Sequence, residues 1–147
     1  MDSDFTNPLP QTVARQLEAE YDKEKHYLFM KRETARSLKA HIELEQYKVE
    51  RASESDLRRE RGKIEKLHSR FTQLCTELTG DVTRSARYME RLSHIVNLLS
   101  PSDPYKALFR DALHEIDRLY HQLKEAVDGI TALLGGLEGR CDRKLST

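Results

Sequence analysis

The sequence has no tryptophan, two cysteines, four prolines and six glycines in 147 residues. Each shortage excludes something. Cys75 and Cys141 lie far apart and fit neither a disulfide framework nor a metal spacing, so the expected setting is reducing and intracellular, cytoplasmic or nuclear. Charge of one sign is also missing: 25 basic residues balance 25 acidic ones. Phosphate contacts need an excess of Lys and Arg, so nucleic acid is not the expected partner. No apolar run approaches the length of a membrane span, and residues 1–10 carry no apolar core of a signal peptide. Alternating strand patterns, a glycine-rich phosphate loop and a nucleophile elbow are absent as well. No small-molecule substrate, cofactor or enzymatic activity is expected from what is left.

What is present is charge and periodicity. Charged residues make up 34% of the chain and hydrophobic ones 37%, the composition of long, solvated helices. The strongest pattern runs from Asp103 to Leu137. Phe109, Ile116, Leu123, Ile130 and Leu137 share one heptad position, and Tyr105, Ala112, Leu119, Ala126 and Leu133 share the other. Leu113, Tyr120, Val127 and Leu134 form a third column beside them. Three apolar positions per heptad suit a helix that touches more than one neighbour. Asp103 can cap this helix, Pro104 fits its first position, and Gly135-Gly136 should stop it.

Two weaker patterns precede it. From Thr12, the set Ala14, Tyr21, Leu28, Ala35, Ile42 and Val49 shares one position. Leu17, Glu24, Lys31, Leu38, Glu45 and Ala52 share the other. A charge within a seam weakens it but sets register and partner choice, which makes Glu24, Lys31 and Glu45 register-setting candidates. The milder reading, that they face water, is preferred because Glu and Lys are seldom fully buried. The frame slips by one residue at Ala52–Asp56, where Ser53 and Asp56 resemble a weak capping box. A break is favoured there over a skip within one helix. From Leu57 a new frame runs to Leu99 through Ile64, Phe71, Leu78, Leu92 and Leu99, with a second column of Leu67, Leu74, Tyr88 and Ile95. Glu60, Asp81 and Ser85 interrupt these columns. Gly80 should mark a kink or short break.

Tests for chemistry return little. Glu65-x-x-His68 and, nearly, Asp111-x-x-His114 have the spacing of di-iron helices, but Glu65 and Asp111 lie off the apolar columns, so no metal is expected. His68-Ser69 and Ser93-His94 are adjacent on a helix and point apart, which rules them out as nucleophile and base. Arg84, Arg87 and Arg91 continue a basic stripe that could meet an acidic surface. Interleaved Glu60, Glu65, Glu77 and Glu90 favour a solvated face instead.

The expected architecture is therefore all-α: an elongated coiled-coil or helical bundle of two long helices and one shorter, strongly apolar one. Residues 1–11 form a flexible acidic arm, 12–134 the helical region (helices about 12–52, 56–99 and 103–134) and 135–147 a flexible tail. The expected function is that of a non-enzymatic structural or adaptor subunit of a larger coiled-coil assembly of cytoskeletal, kinetochore or tethering type. Its partners are one or more coiled-coil subunits. Tyr105, Phe109, Ile116, Leu119, Leu123, Ile130 and Leu133 would be the anchors, with Ile64, Phe71, Leu78, Leu92 and Leu99 beside them. The alternatives are a homo-oligomeric spacer or regulator, and a binder of microtubules, acidic lipid or nucleic acid through Arg84, Arg87 and Arg91.

Overall fold

The computed structural model describes residues 9–146, so most of the expected N-terminal arm lies outside the described residues. The fold is all-α. Three helices follow one another, α1 Gln11–Arg51, α2 Glu54–Leu98 and α3 Pro104–Ser146, with no strand among the described residues. None is long and apolar enough to cross a membrane.

The helix ends follow local chemistry. α1 stops at Arg51 and α2 starts at Glu54, so the one-residue slip is a break. Ser53 caps α2: its carbonyl accepts the Leu57 N–H at 2.9 Å, and its hydroxyl donates to Asp56 Oδ2 at 2.9 Å. Glu54 and Asp56 in the first turn favour the positive end of the helix dipole. Asp103 caps α3, with its Oδ1 accepting the Tyr105 N–H at 2.9 Å. Lys106 Nζ donates back to the Leu99 carbonyl at 2.9 Å, which satisfies an open acceptor at the end of α2.

The chain divides into two compact units. Unit 1 comprises Met1–Met30 and Gly80–His121. Its core is Ala14, Leu17, Leu28, Tyr88, Leu92, Val96, Leu99, Phe109, Ala112, Ile116 and Leu119. The α1 and α2 segments run antiparallel there, since Glu20 meets Arg91 and Glu24 meets Arg84. Tyr105 stacks on Phe109 with ring centroids 5.6 Å apart. Unit 2 comprises Lys31–Thr79 and Gln122–Thr147. Its core is Ala35, Leu38, Ile42, Val49, Leu57, Ile64, Leu67, Leu74, Leu78, Leu123, Ile130, Leu134, Leu137 and Cys141. Here too α1 and α2 are antiparallel, since Lys31 meets Glu77 at 2.6 Å and His41 meets Arg70 at 3.4 Å. α3 runs parallel to α1, with Arg32 on Gln122 and Arg140 on Glu50, both at 2.6 Å.

Two expectations from the glycines are corrected. α2 runs through Gly80 as continuous helix without the short break that was one of the two expectations there, and α3 continues past Gly135-Gly136 to Ser146 where a stop and a flexible tail were expected. Glycine weakens a helix by only about 1 kcal/mol relative to alanine, and packing outweighs that. Leu137 and Cys141 carry the buried stripe onward, each 1% exposed. Lys144 Nζ donates to the carbonyls of Val49 and Glu50 at 3.0 and 3.1 Å. Asp142 pairs with Arg61 at 3.2 Å.

No heavy atom lies within 4 Å of a Cβ built on Gly80 or Gly135, and neither has a positive φ. Gly80→Ala and Gly135→Ala should each therefore stabilise the chain by roughly 0.5–1 kcal/mol, measured by urea denaturation. A loss of stability on Gly80→Ala would mean the backbone there needs glycine. Leu137→Ala should cost about 2–5 kcal/mol. A cost near zero would show that the end of α3 is not part of the folded unit.

Candidate functional site

Most apolar residues that the sequence marks as partner anchors are already covered. In unit 1, Phe109, Ile116 and Leu119 are at most 2% exposed, Leu92 and Leu99 are buried, and Tyr105 is half-buried. In unit 2, Leu123, Ile130, Ile64 and Leu78 are buried, while Phe71 and Leu133 are half-buried. Leu134, from the third column, takes the inner position beside Leu133. The seams are filled by the chain's own helices, so a partner could reach these side chains only by displacing one.

The large apolar side chains left in solvent lie elsewhere. They are Val13, Phe29, Met30, Leu98 and Leu108 in unit 1, and Leu44 and Tyr47 in unit 2. Sequence reasoning passed over them because they fall outside the heptad columns. Being apolar off the columns was the signal available. Leu44 and Tyr47 are three residues apart, on one face of α1, and 53% and 55% exposed. The Arg51 guanidinium lies 3.7 Å from the Tyr47 ring centroid and stacks on one face of the ring.

The charged seam residues do not all face water, which corrects the preferred reading. Glu24 is 7% exposed and Glu45 5%; Lys31 is half-buried. In unit 1, Glu24 is fully answered: Arg84 Nε donates to its Oε1 and the Ser85 hydroxyl to its Oε2, both at 2.9 Å. The Arg84 guanidinium also lies 4.7 Å from the Tyr27 ring centroid and pairs with Asp81 at 3.5 Å. The Tyr27 hydroxyl donates to Asp81. Ser85, the single polar member of its column, is thus the buried donor that lets a carboxylate sit inside. Tyr88 packs beside this cluster, and burial, reinforced by Glu20, pushes its phenol well above the usual range. In unit 2, Lys31 holds Glu77 at 2.6 Å and keeps that carboxyl below its ordinary value. Glu45 meets a second buried carboxylate, Glu60, which is also 5% exposed.

The basic stripe is largely spent inside unit 1. Arg84 pairs with Glu24 and Asp81, and Arg91 pairs with Glu20. Arg87 is exposed, in a shallow groove that also presents Glu20, Lys23 and Glu24. Of the metal candidates, His68 pairs with Glu138 at 2.6 Å, and Glu65, Asp111 and His114 are exposed. Among the described residues no three His, Cys, Asp or Glu side chains converge as metal ligands. The arrangement presents exposed apolar side chains on the helix exteriors and buried charged groups between the helices.

Glu24→Ala leaves the buried Ser85 hydroxyl without its acceptor, while Arg84, half-exposed, keeps Asp81. It should cost about 1–3 kcal/mol in denaturant unfolding. Ser85→Ala, which removes one donor to a buried carboxylate, should cost about 1.5–3 kcal/mol. If both substitutions are neutral, the cluster does not hold α1 against α2.

No protein-family model matches the chain, and neither a curated protein nor a solved structure matches it.

Proposed function

We propose that this chain is a non-enzymatic structural or adaptor subunit of a larger coiled-coil assembly of cytoskeletal, kinetochore or tethering type, working inside the cell by helix–helix association. The observation that carries the reading is the exposed pair Leu44 and Tyr47 on α1, 53% and 55% exposed, opposite an inner stripe that is already filled. A helix with one apolar face satisfied and large apolar side chains on the other has a place for a further helix. In this reading the heptad columns build a coiled-coil type core from the chain's own helices, and the partner helix docks on the outside of α1. Glu24, Lys31 and Glu45 set register. Sliding α1 by one heptad along α2 would part Glu24 from Ser85 and Lys31 from Glu77, and would set the buried Glu24 carboxylate against Leu78 or Leu92 in place of the serine hydroxyl. The charged-surface alternative draws less support, because Arg84 and Arg91 already hold carboxylates.

The test combines sedimentation with affinity isolation of the full chain. The chain alone should sediment as a helical monomer. It should recover a helical partner in stoichiometric amount. The double variant Leu44→Glu/Tyr47→Glu should keep its circular dichroism and recover roughly tenfold less, the loss of about 1.4 kcal/mol or more expected for a central apolar contact. Equal recovery by both proteins would remove the α1 surface from the proposal. A single stable dimer formed by the chain alone would favour the homo-oligomeric spacer. Salt-sensitive binding to microtubules or anionic vesicles that is lost on Arg84, Arg87 and Arg91→Glu would favour the charged-surface reading.

A further inference from the structure

We propose that Glu45 and Glu60 form a buried one-proton pair that makes the closure of α1, α2 and the end of α3 within unit 2 sensitive to pH. The placement comes first. Glu45 on α1 and Glu60 on α2 are each 5% exposed and lie against one another. The Oε2 atom of each is buried without a hydrogen-bond partner among the described residues. Two ionised carboxylates cannot share a dehydrated site, because each loses its water and gains a like charge. One proton between them removes the repulsion and supplies the missing donor.

The surroundings decide which partner takes the proton. Glu60 has cations on its own helix, with Lys63 Nζ 3.3 Å and Arg59 Nε 3.9 Å from its Oε1. Lys48, one turn along α1, is the basic group nearest in sequence to Glu45 and is exposed. From α3 the facing group is Cys141, 1% exposed, followed by Asp142, which pairs with Arg61 of α2. Burial pushes the Cys141 thiol up, and Asp142, Glu45 and Glu60 push it further, so it stays protonated and adds no charge. Glu60 is therefore the ionised member and Glu45 the proton carrier. Burial, and then the bond to Glu60, raise the Glu45 carboxyl from 4.5 to about 7, while the bond from Glu45 and the nearby Lys63 hold Glu60 below its ordinary value.

The sign follows from linkage. Below pH 4.5 Glu45 holds its proton whether unit 2 is closed or open. Between 4.5 and about 7 only the closed form holds it, so closure weakens as pH rises and levels off above about 7. Glu60 acts with the opposite sign, but its contribution is lost only as pH falls below its ordinary value, outside this window. The segments that answer to the pair are the last turn of α1, the first turns of α2 and the stretch of α3 from Leu137 to Lys144.

The test is hydrogen exchange of the full chain, corrected for intrinsic rates, between pH 6 and pH 8. Amides in residues 45–60 and 137–144 of the wild type should open roughly tenfold more often at pH 8, the factor given by a carboxyl at about 7 closed and 4.5 open. Glu45→Gln has no proton to lose in this range and should show a flat profile in the same amides. His41 and His68, which bond Arg70 and Glu138 in the same unit, are unchanged in that variant, so the difference between the proteins isolates Glu45. The same pH dependence in both proteins overturns the proposal. Should Glu45→Gln fail to fold, the carboxyl resonance of Glu45 in the wild type decides. A midpoint at or above about 6 upholds the pair, and a midpoint below about 6 overturns it.

Discussion

A carboxylate taken out of water must find a cation, a donor or a proton, and α1 carries two such groups inward. Glu24 and Glu45 occupy the same heptad column, three heptads apart, and both are almost fully buried. Everything around them is arranged to answer that demand. In unit 1 the answer comes from α2, as the Arg84 guanidinium and the Ser85 hydroxyl. In unit 2 it is a second carboxylate, Glu60, which can satisfy Glu45 only by sharing a proton. The same helix thus uses one residue type in two ways: an ion pair with a hydroxyl donor in unit 1 and, in the pairing proposed for unit 2, two carboxylates that share a proton.

The apolar side chains supply the stabilisation that these polar layers draw on. Burying a large aliphatic or aromatic side chain is worth about 1.5–3 kcal/mol, and α3 contributes Phe109, Ile116 and Leu119 in unit 1 and Leu123, Ile130 and Leu137 in unit 2. Because these are satisfied within the chain, the surface open to a partner is the outside of the helices. There Leu44 and Tyr47 remain 53% and 55% exposed, with Arg51 stacked on the Tyr47 ring. A subunit built this way would bring a folded core to its assembly and lend one outer stripe to it.

Much of this was legible in the sequence. The columns of α1 and α2 predict which residues turn inward, and the interruptions at Glu60 and Ser85 lie inside with them. The break at Ala52–Ser53 and the Asp103–Pro104 start of α3 follow from turn and capping chemistry that acts within a few residues. Less legible were the glycines. Gly135-Gly136 reads as a stop because glycine's propensity is local and visible, whereas the contacts of Lys144 with Val49 and Glu50 that carry α3 onward join residues about ninety positions apart. The charged seam positions misled for a similar reason. How seldom Glu is buried is an average over sites without a waiting donor, and only a three-dimensional neighbour reveals Arg84 and Ser85.

Periodicity and composition alone determined that the chain is helical, where its helices begin, and which stripe of each is apolar, because those properties depend on residues within a few turns of one another. Whether the stripes were filled by the chain itself or left for another molecule was decided only in the tertiary structure, since a heptad specifies a seam without saying whose helix lies in it. The same holds for the two buried glutamates. Their sequence positions are equivalent, and their chemistry diverges because one faces an arginine and a serine across the helix pair while the other faces a glutamate.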